Sequence, residues 1–121
     1  MTAKRRRAFR RGRIGEAVAA AWLRCKGYRI LDRRVKTPVG EIDILARRGS
    51  VVAVVEVKAR PTAAAAAEAI GARQRRRLER AARWLLARRP DLAGADIRFD
   101  AVLIAPFRAP CHVVDAWRPD F

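Results

Sequence analysis

Two acidic residues and a lysine occupy positions where a charged side chain is costly. Glu56 and Lys58 fall within Val51–Ala59 (VVAVVEVKA), a nearly continuous run of β-branched residues, and Asp43 falls within GEIDILAR at 40–47. A carboxylate in such an apolar run is unfavourable unless it is paired or binds a metal ion. Oxygen ligands of this kind suit Mg²⁺ or Mn²⁺, so the residue types indicate metal-assisted chemistry.

The two segments that carry these residues are predicted to be the arms of a β-hairpin. Side chains alternate along a strand. Alternation along the first arm separates two sets of side chains: Ile42, Ile44 and Ala46 on one face, and Glu41, Asp43 and Leu45 on the other. Two registers are considered, with Asp43 opposite Val54 or opposite Glu56, and both put Asp43 on the face that carries Glu56 and Lys58.

This juxtaposition leaves two interpretations open. Two carboxylates so close repel each other and raise a carboxyl pKa, a cost that a divalent cation offsets. Alternatively, Lys58 only neutralises Glu56 at a strand end, and Asp43 faces water. The choice of lysine favours function, because the chain contains 24 Arg but only 4 Lys, and a compact ammonium can orient an attacking water where a guanidinium cannot.

Glu16 and Gln74 are two further candidates, each with a structural alternative. Glu16 lies off the apolar stripe of a predicted first helix, on a face with Ala19, Ala20 and Leu23 that would partly enclose it. A glutamate in a first turn is also favourable with the helix dipole and needs no active site to explain it. Gln74 falls on the apolar stripe of a second helix, either as a hydrogen-bond partner of the site or as a tolerated amide at the edge of the core.

The elements that must position these residues follow the order α-β-β-β-α-β-β. The first helix runs from Ile14 to Lys26, and its apolar stripe is Ile14, Val18, Ala21, Trp22 and Cys25. The second helix runs from about Gly71 to Arg89, and the predicted strands are 28–35, 40–47, 51–59, 96–105 and 111–117. The alanine-rich segment 62–69 is left open between helix and ordered loop. This order predicts an α/β fold, with a mixed β-sheet flanked by helices.

The charge of the chain favours a polyanionic partner. The net charge is +16, from 28 Lys+Arg against 12 Asp+Glu, and nucleic acid is the first choice. Arginine bias from GC-rich coding is an alternative source of the charge. The second helix carries Arg73, Arg76, Arg80 and Arg83 opposite its stripe of Leu78, Ala81, Ala82 and Leu85. These arginines are candidates for sequence-independent phosphate contacts, and the basic segment Lys4–Arg13 is left open between such contacts and a role in solubility alone.

The length of 121 residues suits one hydrophobic core. We predict a basic flexible arm over 1–13 and a single domain over 14–121. Cys25 and Cys111 have no partner at metal-ligand spacing and are expected to be reduced thiols, and His112 is interpreted as structural. No signal sequence or apolar span is apparent, so a cytoplasmic protein without a membrane partner is expected.

The ordered set of motifs resembles the YraN-type family of uncharacterised predicted endonucleases. The matching strings are Gly15-Glu16 in an opening helix, GEIDILA at 40–46, EVKAR at 56–60, a basic helix with Gln74, and RFD at 98–100. The resemblance covers about residues 13 to 118 and implies a restriction-endonuclease-like αβββαβ core, similar to archaeal Holliday-junction resolvases. The PD-(D/E)xK signature of that superfamily corresponds to Asp43 followed by Glu56-Val57-Lys58, with Ile42 in place of the proline.

This resemblance implies a Mg²⁺-dependent (or Mn²⁺-dependent) endonuclease that hydrolyses phosphodiester bonds. By the resemblance, Asp43, Glu56 and the Val57 carbonyl would hold one or two ions, and Glu16 would contribute directly or through water. Lys58 would position the attacking water. Gln74 stands where such proteins commonly carry Lys or Gln. The implied substrate is nucleic acid, DNA before RNA and branched or structured forms included, and a homodimer is expected by analogy with the resolvases.

Two other classes of function remain as alternatives. The first is a non-catalytic nucleic-acid-binding protein that keeps the nuclease-like fold, although a pure binder gains nothing from carboxylates that repel phosphate. The second is a protein–protein adaptor whose charge reflects genome composition alone. The adaptor predicts no salt-sensitive binding to DNA, which distinguishes it from both nucleic-acid functions.

Overall fold

The chain folds into five strands, three α-helices and one short 3-10 helix (Pro90–Leu92), as described by a computed structural model of residues 2–119, with only the backbone described at 7–11. The elements are α1 Ala3–Cys25, β1 Arg29–Lys36, β2 Glu41–Arg48, β3 Val51–Ala59, α2 Ala63–Glu68, α3 Ala72–Leu86, β4 Asp96–Ile104 and β5 Cys111–Trp117. Each predicted strand is present, and its ends differ from the prediction by one residue at most. The alanine-rich segment 62–69, which was left open between helix and ordered loop, forms helix α2. Met1, Asp120 and Phe121, which belong to the predicted arm and domain, lie outside the described residues.

The strands form one mixed sheet in the order β1-β2-β3-β4-β5. Strands β3 and β4 are parallel, and every other neighbouring pair is antiparallel. A parallel pair needs a crossover connection, and α2 with α3 supplies it. The predicted α/β class, a mixed sheet with flanking helices, is confirmed, and the arrangement is compatible with a restriction-endonuclease-like core.

Helices cover both faces of the sheet. On one face, α2 and α3 pack on a cluster that includes Val52, Val54 and Phe99. The buried stripe of α3 is the predicted one, Leu78, Ala81, Ala82 and Leu85. On the other face, α1 packs on a smaller cluster that includes Val55 and Val102. The central strand β3 is therefore buried on both sides, which explains its β-branched run.

Helix α1 begins earlier than predicted. It starts at Ala3, with Thr2 as N-cap whose side chain accepts a hydrogen bond from the Arg5 N–H at 3.2 Å. Among the described residues, the basic segment that was predicted as a flexible arm over 1–13 forms the first turns of this helix. Within residues 2–119, no helix is both long enough and apolar enough to cross a membrane.

The face that α1 presents to the sheet is also opposite to the predicted one. Ala19, Ala20 and Leu23 are fully buried. The large apolar side chains of the predicted stripe are exposed instead: Ile14 by 59%, Val18 by 39% and Trp22 by 37%. Small residues allow a helix to lie close to a sheet. The face of α1 with Ala19 and Ala20 therefore packs against the sheet, and the face with the larger side chains is exposed.

Candidate functional site

The hairpin of β2 and β3 has the second of the two predicted registers. Arg48 pairs with Val51 and Ile44 with Val55, which places Asp43 level with Glu56. The pairing of β2 omits Asp43 on both sides, and its Oδ2 instead accepts a hydrogen bond from the backbone N–H of Val57 at 2.8 Å.

The side-chain alternation of β2 also changes at Asp43. Ile44 and Ala46 pack on the α1 side of the sheet. Ile42 packs on the α3 side with Leu45, so the prediction that grouped Ile42 with Ile44 and Ala46 is wrong. Strand β2 is therefore irregular at Asp43, and this irregularity lets the Asp43 carboxylate reach the backbone of β3.

Glu56 is almost completely buried, with 2% of its surface exposed. Its Oε1 lies 2.9 Å from Lys58 Nζ and accepts a hydrogen bond from Gln74 Nε2 at 3.3 Å. Its Oε2 is buried without a hydrogen-bond partner among the described residues. A carboxylate oxygen in this state is costly to bury, and a cation beside it would offset that cost.

Helix α1 brings Glu16 to the same end of the hairpin. Its approach is close because residue 15 is glycine: a Cβ there would lie 3.2 Å from Ala59 Cβ. The Glu16 side chain is 12% exposed, and Arg34 Nε lies 3.1 Å from its Oε1. Arg34 has a positive φ of 50° in β1, a conformation that costs energy for a residue with a side chain.

A fourth carboxylate, Glu41, joins this group. One ligand oxygen each from Glu16, Glu41 and Asp43 lie within 4.8 Å of one another. The sequence prediction had placed Glu41 on the face of Asp43 but had not singled it out as a site residue. Strand parity with Asp43 was the available signal, because residues two apart on a strand share a face.

Burial raises the pKa of Asp43 to about 8, and the negative charges of Glu56 and Glu16 add to this effect. The Val57 N–H and the Lys58 charge act in the opposite direction. Burial also raises the pKa of Glu16, assisted by Glu41 and opposed by Arg34. Without a cation, the site holds more negative charge than its surroundings stabilise.

Two of these carboxylates, Glu16 and Asp43, line a cleft of about 440 Å³ together with Lys58. Its lining residues are Gly12, Glu16, Asp43, Val57, Lys58, Ala59 and Arg60. The volume lies within the range of about 300–1,000 Å³ that is usual for small-ligand sites. Arg60 is a cation at this cleft that sequence reasoning did not single out, although it belongs to the EVKAR string.

The structure thus brings together all five predicted catalytic positions. Glu16 comes from α1, Asp43 from β2, Glu56 and Lys58 from β3, and Gln74 from α3. The structural alternative predicted a Lys58–Glu56 ion pair with Asp43 facing water. The ion pair is present, but the Asp43 carboxylate accepts a hydrogen bond from the Val57 N–H of β3. Gln74 was predicted either to donate a hydrogen bond to the site or to be an amide at the edge of the core, and its Nε2 donates to Glu56 Oε1. The four predicted phosphate-binding arginines, Arg73, Arg76, Arg80 and Arg83, lie exposed on α3.

A second polar network surrounds Asp100, in the RFD string. Asp100 is fully buried and accepts hydrogen bonds from Arg98, from His112 Nε2 at 2.8 Å and from the Asp115 N–H at 3.0 Å. Burial alone would raise its pKa, but these donors lower it to about 2. The network holds β4 to β5 and agrees with a structural role for His112.

The comparisons with known proteins identify the family. Residues 15–104 match the model of the family described as Uncharacterised protein family UPF0102. The chain belongs to this family. The predicted resemblance to YraN-type proteins, which are UPF0102 members, is confirmed.

Curated UPF0102 relatives match over nearly the whole chain. A UPF0102 protein of Parvibaculum lavamentivorans is 59% identical over 112 residues, which cover 93% of this chain and 84% of the relative. A UPF0102 protein of Paramagnetospirillum magneticum is 53% identical over 117 residues, covering 93% and 91%. One of a Chelativorans species is 54% identical over 109 residues, covering 90% and 88%. The shared name states a family and no activity, so the function must be argued from the site.

Proposed function

We propose that this UPF0102 protein is a Mg²⁺- or Mn²⁺-dependent endonuclease that hydrolyses phosphodiester bonds of nucleic acid, with DNA as the favoured substrate. The observation that carries the proposal is the state of Glu56. One of its oxygens is engaged by Lys58 and Gln74, and the other is buried next to Asp43 with no hydrogen-bond partner in the part of the chain that the structure describes. A structural ion pair needs one carboxylate and one cation. Here a second carboxylate and an unsatisfied oxygen are added, which is the arrangement that a bound divalent cation stabilises.

The donor set fits a hard divalent cation. Asp43, Glu56, the Val57 carbonyl and Glu16 offer only oxygen ligands, which suit Mg²⁺ and Mn²⁺. A bound ion would polarise the scissile phosphate and stabilise the charge that develops on the leaving oxygen. Gln74 orients Glu56 from α3, and the Val57 N–H orients Asp43, so both carboxylates are fixed before substrate binds.

Lys58 has the position expected of a group that holds the attacking water. Its ammonium has three donors, and the pair with Glu56 uses one of them. Because Lys58 lines the cleft together with Asp43, the other donors can hold a water oxygen or a phosphate oxygen there. A guanidinium in its place would spread its charge over a rigid planar group and orient a single water less well.

The basic surface supports a nucleic-acid substrate. Arg73, Arg76, Arg80 and Arg83 are exposed on α3, the helix that also delivers Gln74 to the site. Arg60 lines the cleft itself. Contacts from such groups to phosphates position a nucleic acid without reading its sequence.

The test is a cleavage assay with Mg²⁺ or Mn²⁺ on duplex, single-stranded, flap and four-way-junction DNA and on RNA. We expect the wild-type protein to cut at least one of them, and we expect Asp43→Asn and Glu56→Gln each to lower the rate at least about 100-fold, since each removes a metal ligand. Glu68→Gln is the matched control, because Glu68 is exposed on α2 and its loss should leave the rate unchanged.

Cleavage that survives both site substitutions would refute the proposal. Salt-sensitive binding to all substrates without cleavage by the wild type would favour the non-catalytic binding protein. Absence of salt-sensitive binding would favour the adaptor.

A further inference from the structure

The loop between β4 and β5 carries a phenylalanine that adds nothing to the hydrophobic core. Phe107 is fully exposed, and its backbone has a positive φ of 61°. This conformation is strained for a bulky side chain, and in a turn that begins with a proline, as here with Pro106, glycine usually takes the positive φ. Glycine would remove both the strain and the exposed ring, so the phenylalanine requires an explanation outside the folding of the chain.

This loop leaves the sheet at the end where the cleft lies. Strands β3 and β4 are parallel, so both run towards the same end, and Ala59 is paired with Ile104. The Arg60 N–H continues this pairing and donates a 3.0 Å hydrogen bond to the Ile104 carbonyl. Ala59 and Arg60 both line the cleft. The loop with Phe107 and the candidate active site are therefore neighbours at one end of the sheet.

The length of chain between Ile104 and Phe107 limits the distance from the ring to the cleft. Three residues span at most about 11 Å, and paired strands are about 4.8 Å apart. The Cα atoms of Phe107 and Ala59 hence lie within about 16 Å of each other. Nucleotides in one strand of a duplex advance by about 3.4 Å each, so a base that contacts Phe107 lies within about five nucleotides of a phosphate in the cleft.

This end of the molecule is also basic. Arg108, next to Phe107, is exposed, as is Arg60 at the cleft. The first turns of α1, with exposed Lys4 and Arg5, precede the part of the helix that lines the cleft. An aromatic ring among cations fits a nucleic acid, because phosphates pair with the cations and bases stack on the ring. An apolar protein partner would leave the cations without compensating charge.

We propose that Phe107 stacks on an unpaired base of the bound nucleic acid, within about five nucleotides of the scissile phosphate, and that Arg108 contacts the adjacent phosphate. The inference rests on the proposed function and deepens it, because it names the form of the substrate. A base inside a continuous duplex must first be unstacked from its neighbours, which costs energy. An unpaired base requires no such step, so the protein should prefer single strands and flaps to continuous duplex.

The test compares binding of the whole protein to a single strand, a flap and a continuous duplex, with Ca²⁺ in place of Mg²⁺ so that complexes form without cleavage. The DNAs carry 2-aminopurine at successive positions, and its fluorescence falls when it stacks on an aromatic ring. We expect Phe107→Ala to weaken binding to the single strand and the flap at least about fivefold, and binding to duplex less than about twofold. It should also abolish the fall in fluorescence, and Phe107→Trp should retain both properties.

Val114→Ala is the matched control, because Val114 is also an exposed apolar residue, on β5, but has no aromatic ring. It should bind all three DNAs as the wild type does. Circular dichroism checks that each variant is folded.

The outcomes separate this inference from the proposed function. The stacking role is refuted, and the nuclease proposal stands, if Phe107→Ala binds the single strand and the flap as the wild type does, or if Phe107→Trp behaves like Phe107→Ala. An equal loss on all three DNAs would refute the preference for unpaired bases. If the wild type binds none of the DNAs and cuts none in the cleavage assay, the nuclease is refuted, and the stacking role with it.

Discussion

Asp43 Oδ2 and the backbone N–H of Val57 form a 2.8 Å hydrogen bond that fixes the acidic residue of one strand to the next. Val57 stands between Glu56 and Lys58, so this single bond sets the position of Asp43 relative to both. It also uses a backbone donor at a place where the regular pairing of β2 and β3 has ended. The hairpin thus brings the backbones of these three residues together, and the helices add Glu16 and Gln74, which donates a hydrogen bond to Glu56.

Asp43→Asn should stabilise the metal-free protein, and more at pH 8 than at pH 5. The pKa of Asp43 is about 8 in the folded chain against an ordinary value of 3.8. The folded state therefore retains a proton that the unfolded state releases as pH rises from about 4 to 8, and stability falls over this window. Asparagine removes that penalty and can still accept the Val57 hydrogen bond. Thermal unfolding with chelator at both pH values measures the effect.

Asp96→Asn serves as the control for this experiment, because Asp96 is exposed at the start of β4. Its unfolding temperature should follow that of the wild type at both pH values. If Asp43→Asn gave no gain at pH 8, the carboxylates would not be unfavourably close in the folded protein.

Gly15→Val should separate α1 from the sheet. A Cβ at Gly15 would lie 3.2 Å from Ala59 Cβ, whereas a Cβ at Gly12 would have no described atom within 4 Å outside its own stretch of helix. Gly12→Val is a matched control, since it carries the same cost of valine in a helix. We expect Gly15→Val to be less stable than Gly12→Val by about 1–3 kcal/mol, as overpacked sites usually are. Urea unfolding measures the difference, and equal stabilities would contradict the close approach of α1 to β3.

Substitution of exposed α3 arginines should reduce the salt dependence of DNA binding. Each phosphate contact contributes about −0.9 to the slope of log K against log salt on duplex DNA. The double variant Arg76→Gln, Arg80→Gln should therefore have a slope smaller by up to about two. Arg24→Gln with Arg29→Gln is the control pair, since both residues are exposed at the end of the sheet away from the cleft. Equal slopes for both double variants would refute α3 as the phosphate-binding surface.

Asp100→Asn should destabilise the protein by about 2 kcal/mol at neutral pH. The pKa of Asp100 is about 2 in the folded chain against an ordinary value of 3.8, and each unit of difference corresponds to about 1.4 kcal/mol. A lowered folded pKa contributes stability above the unfolded pKa, and this stability is lost as pH falls from about 4 towards 2. The difference between variant and wild type in unfolding experiments should consequently narrow below pH 4. A constant difference would mean that the charge of Asp100 is not responsible.

The sequence predicted the strands well because their pattern is local. β-Branched runs and turn residues define β2 and β3, and parity alone put Asp43 with Glu56 and Lys58. The buried face of α1 was predicted wrongly because apolar periodicity favours large residues such as Trp22. In the structure, Ala19 and Ala20 pack against the sheet instead. That choice depends on the distance between helix and sheet, which no spacing within the helix specifies.

Glu41 and Arg34 were missed for a related reason. Their roles depend on where α1 brings Glu16, and on a positive φ at Arg34 that an arginine does not signal. Gln74 was left between two alternatives because its partner, Glu56, lies on a different element 18 residues away. Contacts between elements distant in sequence required the structure.

The parallel pairing of β3 with β4 has a consequence for how the chain folds. Each pair in that ladder, from Val51 with Asp96 to Ala59 with Ile104, joins residues 45 positions apart, while β2 and β3 are joined by a tight turn. The hairpin therefore forms at a small entropic cost of loop closure, and the centre of the sheet forms only after the longer crossover has closed. Within the acidic site, Asp43 and Glu56 are therefore joined by a short loop closure, whereas Glu16 depends on the packing of α1 against the sheet.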